Sequence, residues 1–456
     1  MATDSQVWSE RYDRVLEDIF TVQSDIAEQV ISQLQATLLE PEQRAIKARP
    51  TDNMEAYQAY LLGVQYRWDS AEERYQRLTV EMLERAVRLD PEFAVAYAML
   101  SEAHSRLYHH RFEFTAERLK MARTSAEKAM ELHPGLPEAH RALGFYHYWG
   151  FREYDRALEQ FAIAAEALPN DVGPLVGMCG VFRRLGRWDE ALEVYKTRQR
   201  FDPQGYFLAV DTSTTYRVLR KFENAEKEMR RAISIAPDRA DAYWEGAWTY
   251  LLWDGTTNRA RQLLESAPSL DSPSIEYISL LLDLYDRKPE SAMARLDGVS
   301  TEAFALQLWF VPRDLLECMC LFEMGEVQRA ETACSSAVEL MEREIDKRPD
   351  DYRIYSSLGH AFALMGRKEA AVHAGEHAVE LNPISKDALD GPLQVIELAR
   401  ICSRVGETDK ALDLIEELLS ISCELSVAML RLDPVWDPLR DHPRFQALLE
   451  EYEVEQ

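Results

Sequence analysis

The sequence predicts an all-α solenoid of antiparallel helix pairs, and three observations lead there. The first is length: 456 residues exceed what one hydrophobic core sustains, so the chain is several domains or a stack of small repeated units. The second is an interval. Pro169 to Pro203, Pro203 to Pro237 and Pro349 to Pro383 are each 34 residues, and Pro134 to Pro169 is 35. The third is a phase of small residues inside each interval, recurring where two helices must touch. Composition agrees: 46% hydrophobic and 29% charged residues, with only 18 Gly and 19 Pro, exclude collagenous, low-complexity and wholly disordered chains.

Each unit can be justified in turn. In the first strong one, Ala139, Ala142 and Gly144 set contact distance and Phe145 and Tyr146 fill volume; its second helix carries Tyr154, Ala157, Phe161 and Ala164 before Pro169. Gly186, Trp188, Ala191, Tyr195 and Pro203 repeat the phase, then Phe222, Ala225, Met229, Ala232 and Pro237. Leu358, Gly359, Gly366, Ala371, Ala378 and Pro383 repeat it again near the C-terminus. Alanine or glycine lets paired backbones approach while large side chains from the next pair fill the gaps. Proline ends the second helix because it lacks an amide donor and clashes with the preceding turn. One pair cannot bury its own apolar face, so stability comes from stacking. Some units depart from the pattern. Pro91 to Pro134 is 43 residues, which implies an insertion near Tyr108 to Thr115. Residues 254 to 310 keep only fragments of the phase, predicting a break near 268–310, and the unit with Gly325 and Ala330 predicts a longer second helix through Lys347.

This vocabulary resembles the tetratricopeptide repeat family across most of residues 51 to 420. The resemblance implies that the first helices of successive units line a concave groove, which by phase contains Arg141, Phe145, Tyr148, Trp149, Arg183, Arg184, Phe207, Arg217, Trp244 and Trp248. Arginine with aromatics is the mixture that dominates binding hot spots. The groove is therefore expected to bind a protein or peptide segment with acidic and apolar residues, against the alternative that its aromatics only fill the inner spiral. Replacing Arg183 and Arg184 with glutamate is expected to abolish capture without lowering thermal stability. The lysine and asparagine set that grips C-terminal carboxylates in other members is absent from the phase.

The termini extend the resemblance to bacterial signalling proteins in which a TolB-like domain precedes such repeats, among them adenylate cyclases, kinases and winged-helix regulators. Val7-Trp8-Ser9-Glu10-Arg11-Tyr12-Asp13-Arg14 and Asp18-Ile19-Phe20 look like the end of that domain, followed by an apolar helical stripe at Ile19, Val22, Ile26, Val30, Leu34 and Leu38. The sequence reads either as the C-terminal part of a longer protein or as one that kept only this remnant. At the other end, Leu432-Asp433-Pro434-Val435-Trp436-Asp437-Pro438-Leu439 and Asp387-Ala388-Leu389-Asp390-Gly391-Pro392 resemble closing motifs of the same proteins. An Asp before Pro caps a helix start, so these acids read as caps rather than as catalytic groups. The expected organisation is an N-terminal segment and amphipathic helix at 1–50, an array at 51–267, degenerate repeats or a hinge at 268–310, a second array at 311–420 and a helical cap at 421–456.

Chemistry is sparse. Lys plus Arg number 52 and Asp plus Glu 79, and a net charge of −27 repels phosphates, so no nucleic acid is expected as partner. No signal peptide or apolar run of membrane-crossing length is read, so no membrane insertion is expected. The six irregularly spaced cysteines read as reduced core thiols, which suits the cytoplasm. His373-Ala374-Gly375-Glu376-His377 matches the inverted zincin pattern, but it falls on a packing helix with no third ligand, and no metal or cofactor is expected. His104, His109, His110, His140 and His147 read as packing residues, with a metal or pH-sensitive cluster as alternative. The resulting expectation is a non-enzymatic interaction scaffold of unknown oligomeric state. A regulatory module of a bacterial signalling protein is the alternative, and a metal-dependent hydrolase around His373, Glu376 and His377 a more remote one.

Overall fold

The computed structural model describes residues 50–69, 73–268, 272–305 and 307–453. The expected N-terminal remnant and its apolar stripe lie outside them. The chain divides into two compact units, one ending at Gly177 and the other beginning at Met178.

The first unit contains α1 (Met54–Asp69), α2 (Glu73–Leu89), α3 (Ala94–His109), α4 (Ala116–Leu132), α5 (Pro137–Phe145) and α6 (Tyr154–Ala167). Sequential helices pack as pairs, and Ala86, Ala98, Ala129, Ala139 and Ala142 at their contacts are wholly buried. At Gly144 a Cβ atom would stand 2.5 Å from the Phe161 ring, so only glycine lets α5 come this close to α6. The extra residues expected near Tyr108 to Thr115 form a turn in which Thr115 caps α4, accepting from the Arg118 amide at 3.2 Å. After α5 the chain makes a π-helical turn, Tyr146–Phe151, closed by Arg152 in the left-handed region at φ 54°. Such turns insert one residue and re-aim the side chains around them.

Across the division runs α7 (Val172–Arg184), followed by α8 (Trp188–Phe201), α9 (Tyr206–Val218), α10 (Phe222–Ile235), α11 (Ala240–Asp254), α12 (Asn258–Ser266), α13 (Pro273–Tyr285) and α14 (Pro289–Leu296). The region where the repeat phase fades thus holds a short helix pair, and then an antiparallel hairpin of β1 (Ala303–Ala305) and β2 (Phe310–Pro312) with Phe304 opposite Val311. Phe304, Phe310 and Val311 are buried in the same core as Ile278, Leu316 and Ile354. A strand alternates sides every residue, which is why the helical phase disappears here.

Helical pairs resume with α15 (Arg313–Glu323), the long α16 (Val327–Lys347), α17 (Tyr352–Leu364), α18 (Lys368–Leu381), α19 (Gly391–Arg404) and α20 (Thr408–Ser420). The tail comprises α21 (Val427–Leu432), a 3-10 turn at Pro434–Leu439 and α22 (Pro443–Glu453). Trp436, Phe445 and Leu448 from it are buried with Leu412 and Ile415 of α20.

One expectation is corrected. Cys318 of α15 and Cys334 of α16 form a disulfide with Cα atoms 5.3 Å apart, while Cys179, Cys320, Cys402 and Cys423 are buried free thiols. Irregular spacing concealed the pairing because the two residues meet across a helix pair rather than along one helix. Denatured, unreduced protein should titrate four thiols and reduced protein six; reduction should lower stability by about 3 kcal/mol, the scale for closing a loop of this size. Six thiols before reduction would refute the bridge.

Candidate functional site

In the first unit the groove residues named from the sequence divide between buried charge and a stacked shelf. Arg141 of α5 is buried and donates through Nε to Glu102 of α3 at 2.6 Å, and its other arm meets Asp171. Glu102 in turn holds Arg67 of α1 at 2.8 Å. Burial works against the Arg141 cation, but Glu102 and Asp171 outweigh it and raise its pKa. Phe145 is buried and stacks on Trp149 with ring centres 4.1 Å apart; Trp149 stacks on His109 at 5.2 Å, and Tyr148 is buried beneath. Trp149 and His109 remain half-buried.

His104, behind this shelf, is buried and takes the Arg118 guanidinium on Nδ1 at 2.8 Å. Burial first, and then the Arg118 charge, push its pKa down to about 3. A lowered histidine pKa contributes stability that is complete above the unfolded value of about 6.5 and is lost as pH falls toward the folded one. Replacing His104 with Asn, which retains an acceptor near Nδ1, should therefore flatten the melting-temperature profile between about pH 6.5 and about pH 3. An unchanged slope would show that His104 titrates normally.

In the second unit the residues chosen by phase are already engaged. Arg183 lies 3.7 Å from Asp211, and Phe207 sits beneath Arg239, whose guanidinium carbon is 4.5 Å from the ring centre. Arg184 pairs with Asp387 at 2.8 Å and with Asp390, while its carbonyl accepts from the Ala388 amide at 2.8 Å. Arg217 spans Glu245 and Glu424, the latter at 2.6 Å, and the other Glu424 oxygen accepts from Trp248 Nε1 at 3.0 Å. Trp244 is buried parallel to Trp248, ring centres 6.1 Å apart. Nearby, Arg220 donates to the carbonyls of Leu418, Leu419 and Leu425 at 3.0–3.1 Å. It thereby satisfies the open C-terminal end of α20, where a cation is also favoured by the helix dipole.

The structure thus brings Arg184, Arg217 and Trp248 together with residues about two hundred positions downstream. Sequence reasoning missed Asp387, Asp390 and Glu424 as their partners, since no periodicity links such distant segments. The expected neutrality of glutamate at position 184 is corrected accordingly: it would place a third carboxylate against Asp387 and Asp390 and destabilise the fold.

The remaining candidates have structural partners. Glu376 pairs with Lys410, and His377 packs edge-on against Tyr355 with ring centres 4.5 Å apart. Among the described residues no group of three His, Cys, Asp or Glu side chains is placed to hold a metal ion. Asp433 accepts from the Val435 amide at 3.0 Å and pairs with Arg400 at 2.8 Å, whereas Asp437 pairs with Arg287. No described helix is long and apolar enough to cross a membrane.

Repeated antiparallel helix pairs define an all-α repeat fold. The chain is a tetratricopeptide-repeat protein: models described as tetratricopeptide repeat match residues 180–205, 352–385 and 395–424. It is 28% identical over 158 residues to a putative adenylate cyclase 3 of Rhizobium meliloti, covering 34% of this chain and 26% of that protein. It is 24% identical over 172 residues to anaphase-promoting complex subunit 3 of Schizosaccharomyces pombe, covering 38% and 24%. The chain spans about a quarter of the length of these curated relatives. Among solved structures, a thermophilic tetratricopeptide protein of Thermus thermophilus is similar over 43% of this chain and 100% of its own, with 16% identity and TM-score 0.37. Human IFIT1 with m7Gppp-AAAA is similar over 80% and 78%, with 14% identity and TM-score 0.44. These likenesses concern the fold. The expectation that nucleic acid is excluded is corrected, since IFIT1 is seen with m7Gppp-AAAA and net charge summed over a chain does not describe the local face that meets a ligand. The fold is that of an interaction scaffold.

Arg217 offers a direct test of this ion-pair network. Arg217→Ala should cost about 3–5 kcal/mol, because it strands Glu245 and Glu424 without their shared cation; a loss below about 1 kcal/mol in chemical denaturation would show that the network contributes little.

Proposed function

We propose that the chain is the non-catalytic interaction module of a bacterial signalling protein and that it docks a protein segment on the first unit, over the half-buried rings of Trp149 and His109. The observation that carries this reading is the half-buried Trp149–His109 stack, with ring planes within 17°. Arg106 lies over the same indole, 5.9 Å from its centre. Large planar groups on a fixed backbone offer contact area at small entropic cost, the property that makes tryptophan and arginine binding anchors. Support for the signalling context comes from the similarity to the putative adenylate cyclase. Support for placing the partner on this unit comes from the second, whose corresponding residues Arg184, Arg217 and Trp248 are taken up by the chain's own Asp387, Asp390 and Glu424.

The test is capture by immobilised protein, with and without ribonuclease, comparing wild type with Trp149→Ala. Loss of specific bound proteins by about tenfold or more in the variant, at unchanged circular dichroism and regardless of ribonuclease, is expected. Equal capture by both proteins, or retention that ribonuclease abolishes, would overturn the docking assignment.

A further inference from the structure

The second unit holds a cavity of about 100 Å³ lined by α11, α13, the β-hairpin, α15, α17, α19 and the C-terminal segment that includes Glu424, Leu425 and Met429. One wall is aromatic. Trp309, in the hairpin turn, stands edge-on to Trp244 at 5.7 Å and to Trp248 at 6.4 Å, while Tyr277 lies against Trp244 at 6.1 Å. The opposite wall consists of hydrogen-bond donors. Gln394 is 3% exposed, and its Oε1 accepts from Ser356 at 2.6 Å, which leaves its amide N–H groups as donors. The Tyr285 hydroxyl and Arg400 Nε lie side by side, both buried and each without a further hydrogen-bond partner. Charge at this wall is compensated: Arg353 pairs with Asp351 at 2.7 Å, Arg400 with Asp433 at 2.8 Å and His360 with Glu397 at 2.6 Å.

From this arrangement we infer that the cavity is a binding site for a small neutral molecule with one aromatic ring and a carbonyl-type acceptor. The ring would lie against the tryptophans and the acceptor would meet the Gln394 amide and the Tyr285 O–H donors. The reasons are physical. A buried donor without an acceptor costs free energy that an acceptor restores. A wholly apolar void of similar size admits benzene-like guests without discrimination. Paired charges on the donor wall leave no net field to favour an anion. The site is independent of Trp149, so its failure and that of the docking reading are separable.

Benzamide, toluene and benzoate are suitable probes, followed by tryptophan fluorescence and by thermal melting of the full chain. Benzamide should give a saturable fluorescence change and raise the melting temperature, binding about tenfold or more tightly than toluene, the increment expected of one good hydrogen bond. In Gln394→Leu the benzamide affinity should fall by a similar factor while that for toluene holds. Toluene binding as tightly as benzamide would reduce the site to an apolar void. Tighter binding of benzoate would refute the neutral ligand class. Absence of a saturable response to any probe would refute the site. The wild-type comparison of probes decides the matter even if the variant does not fold.

Discussion

Close approach of paired helices, at positions too small to hold them apart, is the constraint on which the fold rests. At many pair contacts the residue is alanine or glycine, and its bulk is supplied from elsewhere: Phe161 fills the space beside Gly144, and Met229 and Leu263 that beside Gly246. Each contact displaces the next pair by a fixed amount, so the array is a sum of local decisions. This explains how the chain tolerates a π-helical turn after α5 and a hairpin after α14 without losing its organisation. Both are absorbed between contacts.

Arginine makes the second kind of decision. Buried ion pairs are weak sources of net stability, since desolvation offsets most of the attraction, yet breaking one is costly. Their value here is registration. Arg184 meets Asp387 and Asp390 together, and Arg217 meets Glu424, which also reaches Trp248. An apolar contact would permit many offsets between α7–α11 and the returning C-terminal segments. A cation shared among carboxylates permits few.

These two kinds of interaction were unequally legible. The 34-residue interval and the alanine phase exposed the helix pairs from Pro134 onward because packing within a pair is local and periodic. Phase also singles out Arg184, Arg217 and Trp248, which the structure engages with carboxylates of the C-terminal region. What it could not supply was the identity of the group they face, because the returning segment is some two hundred residues away and is itself irregular. The same blindness hid the Cys318–Cys334 bridge and the aromatic–donor cavity, whose walls are assembled from widely separated elements. Net charge is likewise a property of the whole chain and not of any face.

The corners between helices show how local and distant demands are reconciled. Gly186, Gly325, Gly366 and Gly406 take the left-handed turn at φ between 69° and 77°, as a residue without Cβ does readily. At Arg220 and Arg287 the same conformation is imposed on a residue that carries a Cβ, at φ 55° and 58° and a cost of about 1–2 kcal/mol each. In both places the side chain so directed reaches the C-terminal region: Arg220 caps the carbonyl end of α20, and Arg287 holds Asp437 with both arms. Glycine would relieve the backbone and lose the reach. At these two corners the strain falls where the array binds its own tail, while Arg111 and Arg152 adopt the same conformation in the first unit at φ 60° and 54°.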